Sequence, residues 1–217
     1  MSIRVIIADD HALVREGIKA VLKKAILGIN VIAEASNGKE VLNIAKKTPA
    51  DVYLLDISMP LLNGLEVTDR LIRLDPANKI IILSMYDDRV TVQRALQSGA
   101  KGYLIKETAA EEVVRAIREV VDGGTYLTPR ILKLIGLDTF TGRKQYVKRG
   151  QFSKLTHKEI EILQLVAEGF SSKDIAKELK IASATVRVHR KNLMCKLDIH
   201  KETELVRFAF KEGIIRL

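Results

Sequence analysis

The first 125 of the 217 residues alternate between two hydrophobic patterns. Short continuous apolar runs, typical of buried parallel strands, are followed by segments in which apolar residues recur every three or four positions, as on one face of a helix. The predicted strands cover 3–8, 31–35, 51–56, 79–84 and 102–105. The predicted helices cover about 11–26, 38–47, 64–74, 88–98 and 109–122. This alternation predicts an α/β fold, a doubly wound five-stranded parallel sheet with helices on both faces.

The pattern changes after residue 124. A short helix is predicted at 130–135, and residues 138–150 contain few apolar side chains, which together predict an interdomain linker over 125–152. From 153 to 217 only helical periodicity remains, so a small all-α domain is expected. Its predicted helices include 172–179 and 183–196, joined by a three-residue turn in the manner of a helix-turn-helix motif.

Two helix starts carry the sequence of a capping box, in which a Thr and a Glu three residues later each bond the other's backbone N–H. Thr108 and Glu111 form one such pair, at the start of the last helix of the α/β domain. Thr156 and Glu159 form the second, at the start of the helical domain.

Charge divides the chain in the same place as the periodicity. Residues 1–125 contain 17 basic and 17 acidic residues, whereas residues 126–217 contain 19 and 10, so the whole net charge of +9 belongs to the second part. A basic domain beside a neutral one favours a polyanion partner such as double-stranded DNA for the basic domain. The alternative interpretation of such an excess is a solvated basic face without a partner.

Two features bear on the compartment. Cys195 is the only cysteine, so no disulfide can form within the chain, and a cytoplasmic location fits best. The sequence also lacks an apolar run near the roughly 20 residues that a membrane span needs, so we expect no membrane association.

Polar side chains follow four of the predicted strands. Asp9 and Asp10 come directly after the first strand, Asp56 ends the third, Ser84 ends the fourth and Lys106 follows the fifth. Because the carboxyl ends of parallel strands lie at one edge of the sheet, we expect these side chains to meet there.

The expected cluster suits phosphoryl transfer. Asp56 has the features of a carboxylate nucleophile that forms an acyl phosphate. Asp10 and Asp56 could hold Mg²⁺, with Asp9 acting through water, because hard oxygen ligands suit this ion. Lys106 would pair with a phosphoryl oxygen, and the Ser84 hydroxyl could donate to another.

Other interpretations exist for each residue alone. Asp9 and Asp10 could cap a helix, Ser84 could be a turn residue, and Lys106 could be an ordinary solvated lysine. Phosphatases of the haloacid dehalogenase type also use a strand-end aspartate nucleophile, but they need a second aspartate two residues later. Ser58 occupies that position, which argues against such an enzyme.

Residues 1–123 resemble the receiver domain of bacterial two-component response regulators. The matching stretches are Ala8–Asp10, Leu55–Pro60, Asn63–Gly64, Leu83–Ser84 and Gly99–Lys106. The resemblance implies phosphorylation of Asp56 and an Mg²⁺ site formed by Asp9, Asp10, Asp56 and the backbone carbonyl of Ser58. It also implies that Ser84 and Tyr103 are the switch pair, whereas the alternative for Tyr103 is a half-exposed strand tyrosine.

Residues 153–214 resemble the LuxR-type helix-turn-helix domain of the NarL/FixJ class of response regulators. The matching residues are Leu155–Thr156, Glu159, Leu163, Gly169, Ser172–Ala176, Leu179, Thr185–His189 and Lys196–Leu197. The resemblance implies that 183–196 is the recognition helix. Arg187, Val188 and Lys191 would then face the major groove, and Lys173 and Thr185 would meet phosphate.

Helical geometry adds further expectations for this segment. It predicts that Arg190 is exposed together with Arg187 and Lys191, and we include Arg190 among the DNA-binding residues. His189 is expected to pack in the core, and Lys196 is either structural or faces phosphate.

The helix departs from the family at its start. Ala182 stands where the family usually has a serine cap, so either Ser183 caps the helix one residue later or the cap is lost. Lys158 likewise replaces the usual arginine near the domain entry.

The combined features predict a phosphorylation-controlled, sequence-specific DNA-binding transcriptional regulator that receives a phosphoryl group from a sensor histidine kinase. It would not be an enzyme beyond autophosphorylation and autodephosphorylation, and it would dimerise on DNA. In the family the last helix, here about 201–212, commonly forms the dimer face, which makes Phe208 and Phe210 candidates for contact or for core packing. The alternatives are a regulator that binds DNA constitutively and a small-molecule-sensing LuxR-type regulator, which would need a different N-terminal domain.

Overall fold

The computed structural model describes residues 2–25, 28–135 and 154–215. The chain divides into two compact units, Met1–Lys144 and Gln145–Leu217. Residues 136–152 of the predicted linker lie outside the described residues. Across the described segments, the length and polarity of every helix rule out a membrane span.

A parallel sheet forms the centre of the first unit. Its strands are β1 Ile3–Ala8, β2 Ile29–Ala35, β3 Val52–Asp56, β4 Ile80–Ser84, β5 Gly102–Ile105 and β6 Tyr126–Leu127. They run in the order β2-β1-β3-β4-β5-β6, which is the doubly wound arrangement predicted from the alternating pattern.

Six helices accompany these strands in the described part of the first unit. They are α1 Ala12–Lys24, α2 Gly38–Ala45, α3 Gly64–Leu74, α4 Arg89–Gln97, α5 Ala109–Val121 and α6 Pro129–Ile135. All five helices predicted before residue 124 are confirmed, and their bounds differ from the predicted ones by at most two residues.

Side chains of successive strand residues enter two different cores, as the pleat requires. One core contains Val5 and Ile7 from β1 and packs against α1 and α5. The other contains Ile6 and Ala8 and packs against helices on the opposite face. The central strands β3 and β4 are fully buried, which explains why their sequences are continuously apolar.

The sheet has a sixth strand that the sequence pattern does not reveal. β6 is only two residues long, and it pairs in parallel with β5 through Gly102 with Tyr126 and Tyr103 with Leu127. Helix α6 follows at once and buries Ile131 and Ile135 in the same core as Tyr103. The predicted count of five strands is therefore wrong by one, and residues 126–135 of the predicted linker pack on the first unit.

Four helices make up the described part of the second unit. They are α7 His157–Ala167, α8 Ser172–Leu179, α9 Ser183–Leu197 and α10 Glu202–Lys211. The turn between α8 and α9 begins at Lys180, whose φ of 52° lies in the left-handed region. These elements confirm the predicted helix-turn-helix.

The two predicted capping boxes have different outcomes. The box at Thr156 is formed, with the hydroxyl and the Glu159 carboxylate each accepting a backbone N–H. The box at Thr108 is not formed, because its hydroxyl donates to the Ile105 carbonyl oxygen at 3.4 Å and its backbone is not extended. The predicted capping box of Thr108 and Glu111 is therefore wrong.

Candidate functional sites

The carboxyl edge of the sheet brings three of the predicted site residues into direct contact. The Nζ atom of Lys106 lies 2.7 Å from Asp9 Oδ2 and 3.1 Å from Asp56 Oδ2. Asp9 and Asp56 are the buried carboxylates of this cluster, and the Lys106 side chain is only 9 % exposed. Because β1, β3 and β5 all end at this edge, three residues that are far apart in sequence form one buried charge cluster.

Backbone geometry at the end of β3 adds to the site. The Ser58 N–H donates to the Asp56 carboxylate. Gly64 packs directly against the Asp56 carbonyl, and any side chain there would overlap with it. A glycine at position 64 is therefore required for the chain to fold back against the acidic edge.

Asp10 occupies the more open side of the site, together with a residue that the sequence analysis missed. His11 Nδ1 lies 2.7 Å from Asp10 Oδ1 and 3.3 Å from Asp9 Oδ1. The backbone N–H of His11 also donates to Asp9 Oδ1 at 2.9 Å. Its position directly after two aspartates was the signal that could have indicated it.

The donor set fits a hard divalent cation. Asp9, Asp10, His11 and Asp56 each offer one atom, and these atoms lie within 4.8 Å of one another. Asp9 Oδ2 and Asp56 Oδ2 are buried and contact the Lys106 ammonium, and each carboxylate oxygen has a further lone pair for a ligand. Carboxylate oxygens are the ligands that Mg²⁺ prefers.

Burial and charge act against each other at Asp56. Burial raises the pKa of its carboxyl group to about 6, opposed by the Lys106 ammonium and supported by the nearby Asp9 carboxylate. For Lys106, burial lowers the pKa, but the charges of Asp56 and Asp9 outweigh it and leave the pKa raised. The lysine therefore stays charged between two carboxylates.

The two predicted switch residues share a partner in the loop between β4 and α4. The hydroxyl of Ser84 accepts the Tyr86 N–H at 3.1 Å, and the hydroxyl of Tyr103 donates to the Tyr86 carbonyl oxygen at 2.7 Å. Both side chains are fully buried, so the half-exposed alternative for Tyr103 is wrong. Tyr86 was not singled out from the sequence, because nothing in the local pattern marks a loop carbonyl as an acceptor.

The second unit exposes most of the residues predicted to meet DNA. Lys173, Thr185, Arg187, Val188 and Lys191 are all exposed, and Val188 is 57 % exposed although it is apolar. Val186, Leu193 and Leu197 are buried on the other side of α9. An exposed face with two cations and one apolar side chain can contact both base edges and phosphates.

Arg190 differs from this group, and its predicted exposure is wrong. Its side chain is 14 % exposed, and it contacts Ser172 Oγ at 2.7 Å and Glu202 Oε1 at 2.6 Å. It lies four residues after Val186 and three before Leu193, which places it beside the buried stripe of the helix. The helical spacing in the sequence already contained this information.

The structure bears on three smaller expectations for this unit. Lys196 is 38 % exposed and pairs with the start of α7, where its Nζ lies 2.8 Å from Glu159 Oε2. Helix α9 begins after Ala182 without a side-chain cap, so the second of the two alternatives is confirmed. His189 on α9 is half-buried. On α10, Phe208 is half-buried, whereas Phe210 is 51 % exposed.

Comparisons with known proteins agree with this geometry. Residues 5–118 match the model of the response regulator receiver domain, and residues 153–209 match that of the luxR family of bacterial regulatory proteins. The transcriptional regulatory protein DegU of Brevibacillus brevis is 34 % identical over 227 residues, covering 99 % of this chain and 96 % of DegU.

Solved structures give the same result. The RcsB response regulator of Salmonella typhimurium is 28 % identical with a TM-score of 0.58, covering 95 % of this chain and 97 % of RcsB. An RcsB–DNA complex is 27 % identical with a TM-score of 0.58, covering 96 % of this chain and 98 % of RcsB. The chain therefore belongs to the two-component response regulators of the NarL/FixJ class, in which a receiver domain precedes a LuxR-type DNA-binding domain.

Proposed function

We propose that Asp56 accepts a phosphoryl group from a sensor histidine kinase and that this event controls DNA binding by α9. The observation that carries the proposal is the buried cluster of Asp9, Asp56 and Lys106, with the ammonium within 3.1 Å of both carboxylates. Buried charge of this kind is costly and is typical of functional sites.

The transfer itself requires little of the protein beyond positioning and charge. An Asp56 carboxylate oxygen forms a bond to phosphorus while the bond from phosphorus to the kinase imidazole nitrogen breaks, and the electron pair of that bond stays on the imidazole. Asp9, Asp10, Asp56 and the Ser58 backbone carbonyl would hold Mg²⁺, which neutralises the approaching anions when bound. Lys106 would pair with a phosphoryl oxygen.

The response to phosphorylation begins at the loop between β4 and α4. Ser84 would donate its hydroxyl to a phosphoryl oxygen and give up the contact with the Tyr86 N–H, which is 3.1 Å in this structure. Tyr103 holds the same loop through the Tyr86 carbonyl. A change at Ser84 is therefore transmitted to the position of the loop by a residue that both side chains contact.

On DNA, α9 would enter the major groove. Arg187, Val188 and Lys191 would contact bases and phosphates, and Lys173 and Thr185 would contact phosphate. RcsB has been observed as dimers bound to DNA, and a dimer of this chain would read half-sites about one helical turn, roughly 34–36 Å, apart. The exposed Phe210 and Val206 of α10 are candidates for the contact between the two copies.

The protein would act by binding rather than by turnover. Besides acceptance from the kinase, we propose only autophosphorylation from small phosphodonors and autodephosphorylation. Ser58 stands where a phosphatase of the haloacid dehalogenase type needs a second aspartate, which argues against that kind of turnover.

Phosphoryl acceptance is tested by intact mass. Wild type and Asp56→Asn are incubated with Mg²⁺ and acetyl phosphate. We expect the mass of one phosphoryl group on wild type alone, because the amide is not a nucleophile for this transfer. A matched control, Asp51→Asn, removes a carboxylate at the opposite end of β3 and should still be phosphorylated. Equal labelling of wild type and Asp56→Asn would refute the assignment.

A further inference from the structure

Arg190 lies at the meeting point of three helices in the DNA-binding unit. It is in the middle of α9, Ser172 is the first residue of α8, and Glu202 is the first residue of α10. Its Nη1 donates to Ser172 Oγ at 2.7 Å, and its Nη2 lies 2.6 Å from Glu202 Oε1. One guanidinium group therefore connects the recognition helix to the starts of α8 and α10, the helices that precede and follow it in the chain.

The burial of Arg190 distinguishes it from the other cations of α9. Its side chain is 14 % exposed, whereas Arg187 and Lys191 are both exposed to solvent. A planar guanidinium can hold a hydroxyl and a carboxylate at the same time, which a lysine ammonium does less well because it lacks the fixed fork. The identity of the residue as arginine thus matches its two partners.

The surroundings of Arg190 bear on whether its guanidinium also contacts DNA. Arg187, Arg190 and Lys191 line one open concavity of about 600 Å³, with Glu202 in its wall. A phosphate entering this concavity would, however, approach the carboxylate of Glu202, and Arg190 would have to leave two short polar contacts to bind it. Breaking charge-assisted contacts is unfavourable unless the new partner replaces them fully.

We infer that Arg190 is a positioning residue: it holds α9 in place against α8 and α10 so that Arg187, Val188 and Lys191 face the groove, and it makes no phosphate contact of its own. The inference rests on the proposed function of α9 as the recognition helix. It assigns Arg190 and Glu202 jointly to base specificity.

The salt dependence of DNA binding separates a positioning role from a phosphate contact. DNA affinity falls as the salt concentration rises, and each lost phosphate contact reduces the steepness of log affinity against log salt by about one. The full chain is titrated with a duplex selected from a random pool and with an unrelated duplex of equal length. We expect Arg190→Ala to weaken binding to the selected duplex about tenfold while leaving the salt slope and the affinity for the unrelated duplex unchanged.

Glu202 supplies a second test in which the two roles predict opposite signs. If Arg190 contacted phosphate, Glu202→Ala would release the guanidinium, remove a negative charge and strengthen binding. A positioning role predicts that Glu202→Ala weakens binding to the selected duplex, and that the double variant is no weaker than Arg190→Ala alone.

Controls separate these results from misfolding and from failure of the proposed function. Thermal unfolding curves identify a temperature at which every variant is folded, and all titrations are made there. Compared with Arg190→Ala, Arg190→Lys should restore only part of the specificity for the selected duplex. Arg187→Ala should lower the salt slope by about one. A less steep salt dependence for Arg190→Ala, or tighter binding by Glu202→Ala, would overturn the positioning role of Arg190 but leave the proposed function intact. A wild type that binds neither duplex would contradict the proposed function itself.

Discussion

Asp56 is placed where burial disfavours the ionised form that serves as phosphoryl acceptor. Burial raises its pKa to about 6, so the carboxylate that serves as acceptor is held ionised near neutral pH only against a desolvation cost. Lys106 offsets part of that cost without removing it. The stability of the first unit should therefore depend on pH through this residue.

We predict that Asp56→Asn is more stable than wild type above pH 6. A carboxyl group with a folded-state pKa of about 6 contributes stability that is complete below its unfolded pKa near 4 and is lost as the pH rises through 6. The gain in unfolding free energy should reach up to about 3 kcal/mol at pH 7.5, and shrink toward zero near pH 4. Urea unfolding at the two pH values measures it.

Asp51 provides a control of opposite sign. The hydrogen bond from Arg4 lowers the pKa of Asp51, so Asp51→Asn should destabilise the protein at neutral pH and have less effect in acid. If Asp56→Asn were instead the less stable protein at pH 7.5, the ion pair with Lys106 would outweigh burial.

Single residues also mark the limit of prediction from the sequence. Asp9, Asp56 and Lys106 could be placed together because strand ends in a parallel sheet meet at one edge. Tyr86 could not be assigned in the same way, since its role depends on a loop position that no periodicity encodes. His11 could have been assigned from its position directly after Asp9 and Asp10. The exposure of Arg190 was predicted wrongly, although its spacing from Val186 and Leu193 indicated the buried side of α9.

At the scale of elements, length decides what a pattern can reveal. The helices and the five longer strands were predicted because each contains enough residues for its period to be read. β6 contains only Tyr126 and Leu127, and the short apolar stretch around α6 resembles a linker until its packing is known. Local capping was also only partly predictable, as the different outcomes at Thr108 and Thr156 show.

The packing of α6 leads to a prediction about the first unit. Ile131 is fully buried in the same core as Tyr103, so Ile131→Ala should lower the unfolding free energy by about 2–5 kcal/mol. Leu132→Ala is the neighbouring control, because this side chain is 39 % exposed, and it should cost no more than about 0.5 kcal/mol. Equal effects in urea unfolding would mean that α6 does not pack on the sheet in solution.

The uncapped start of α9 leads to a prediction about the second unit. Ala182 has the extended backbone of an N-cap, with φ −69° and ψ 144°, but no side-chain acceptor. Ala182→Ser should therefore raise the unfolding free energy of the second unit by about 1 kcal/mol. Ser183→Ala tests the neighbouring position, and a loss of about 1 kcal/mol there would show that Ser183 is the true cap.

At the scale of the whole molecule, the two units differ in charge as well as in fold. The neutral first part contains the acidic cluster, and the basic second part contains the exposed cations of α9. This division was readable from the sequence because charge needs no structural detail to be counted. The effect of phosphorylation in the first unit on DNA binding by the second is a coupling free energy, which is measured as a change in DNA affinity.

The dependence of DNA affinity on Asp56 is the measurement to make. Wild type and Asp56→Asn are titrated with a duplex selected from a random pool, before and after treatment with Mg²⁺ and acetyl phosphate. We predict that treatment tightens binding by wild type about tenfold, a coupling of about 1.4 kcal/mol, and leaves Asp56→Asn unchanged. Equal affinity in all four titrations would contradict phosphorylation control and identify a regulator that binds DNA constitutively.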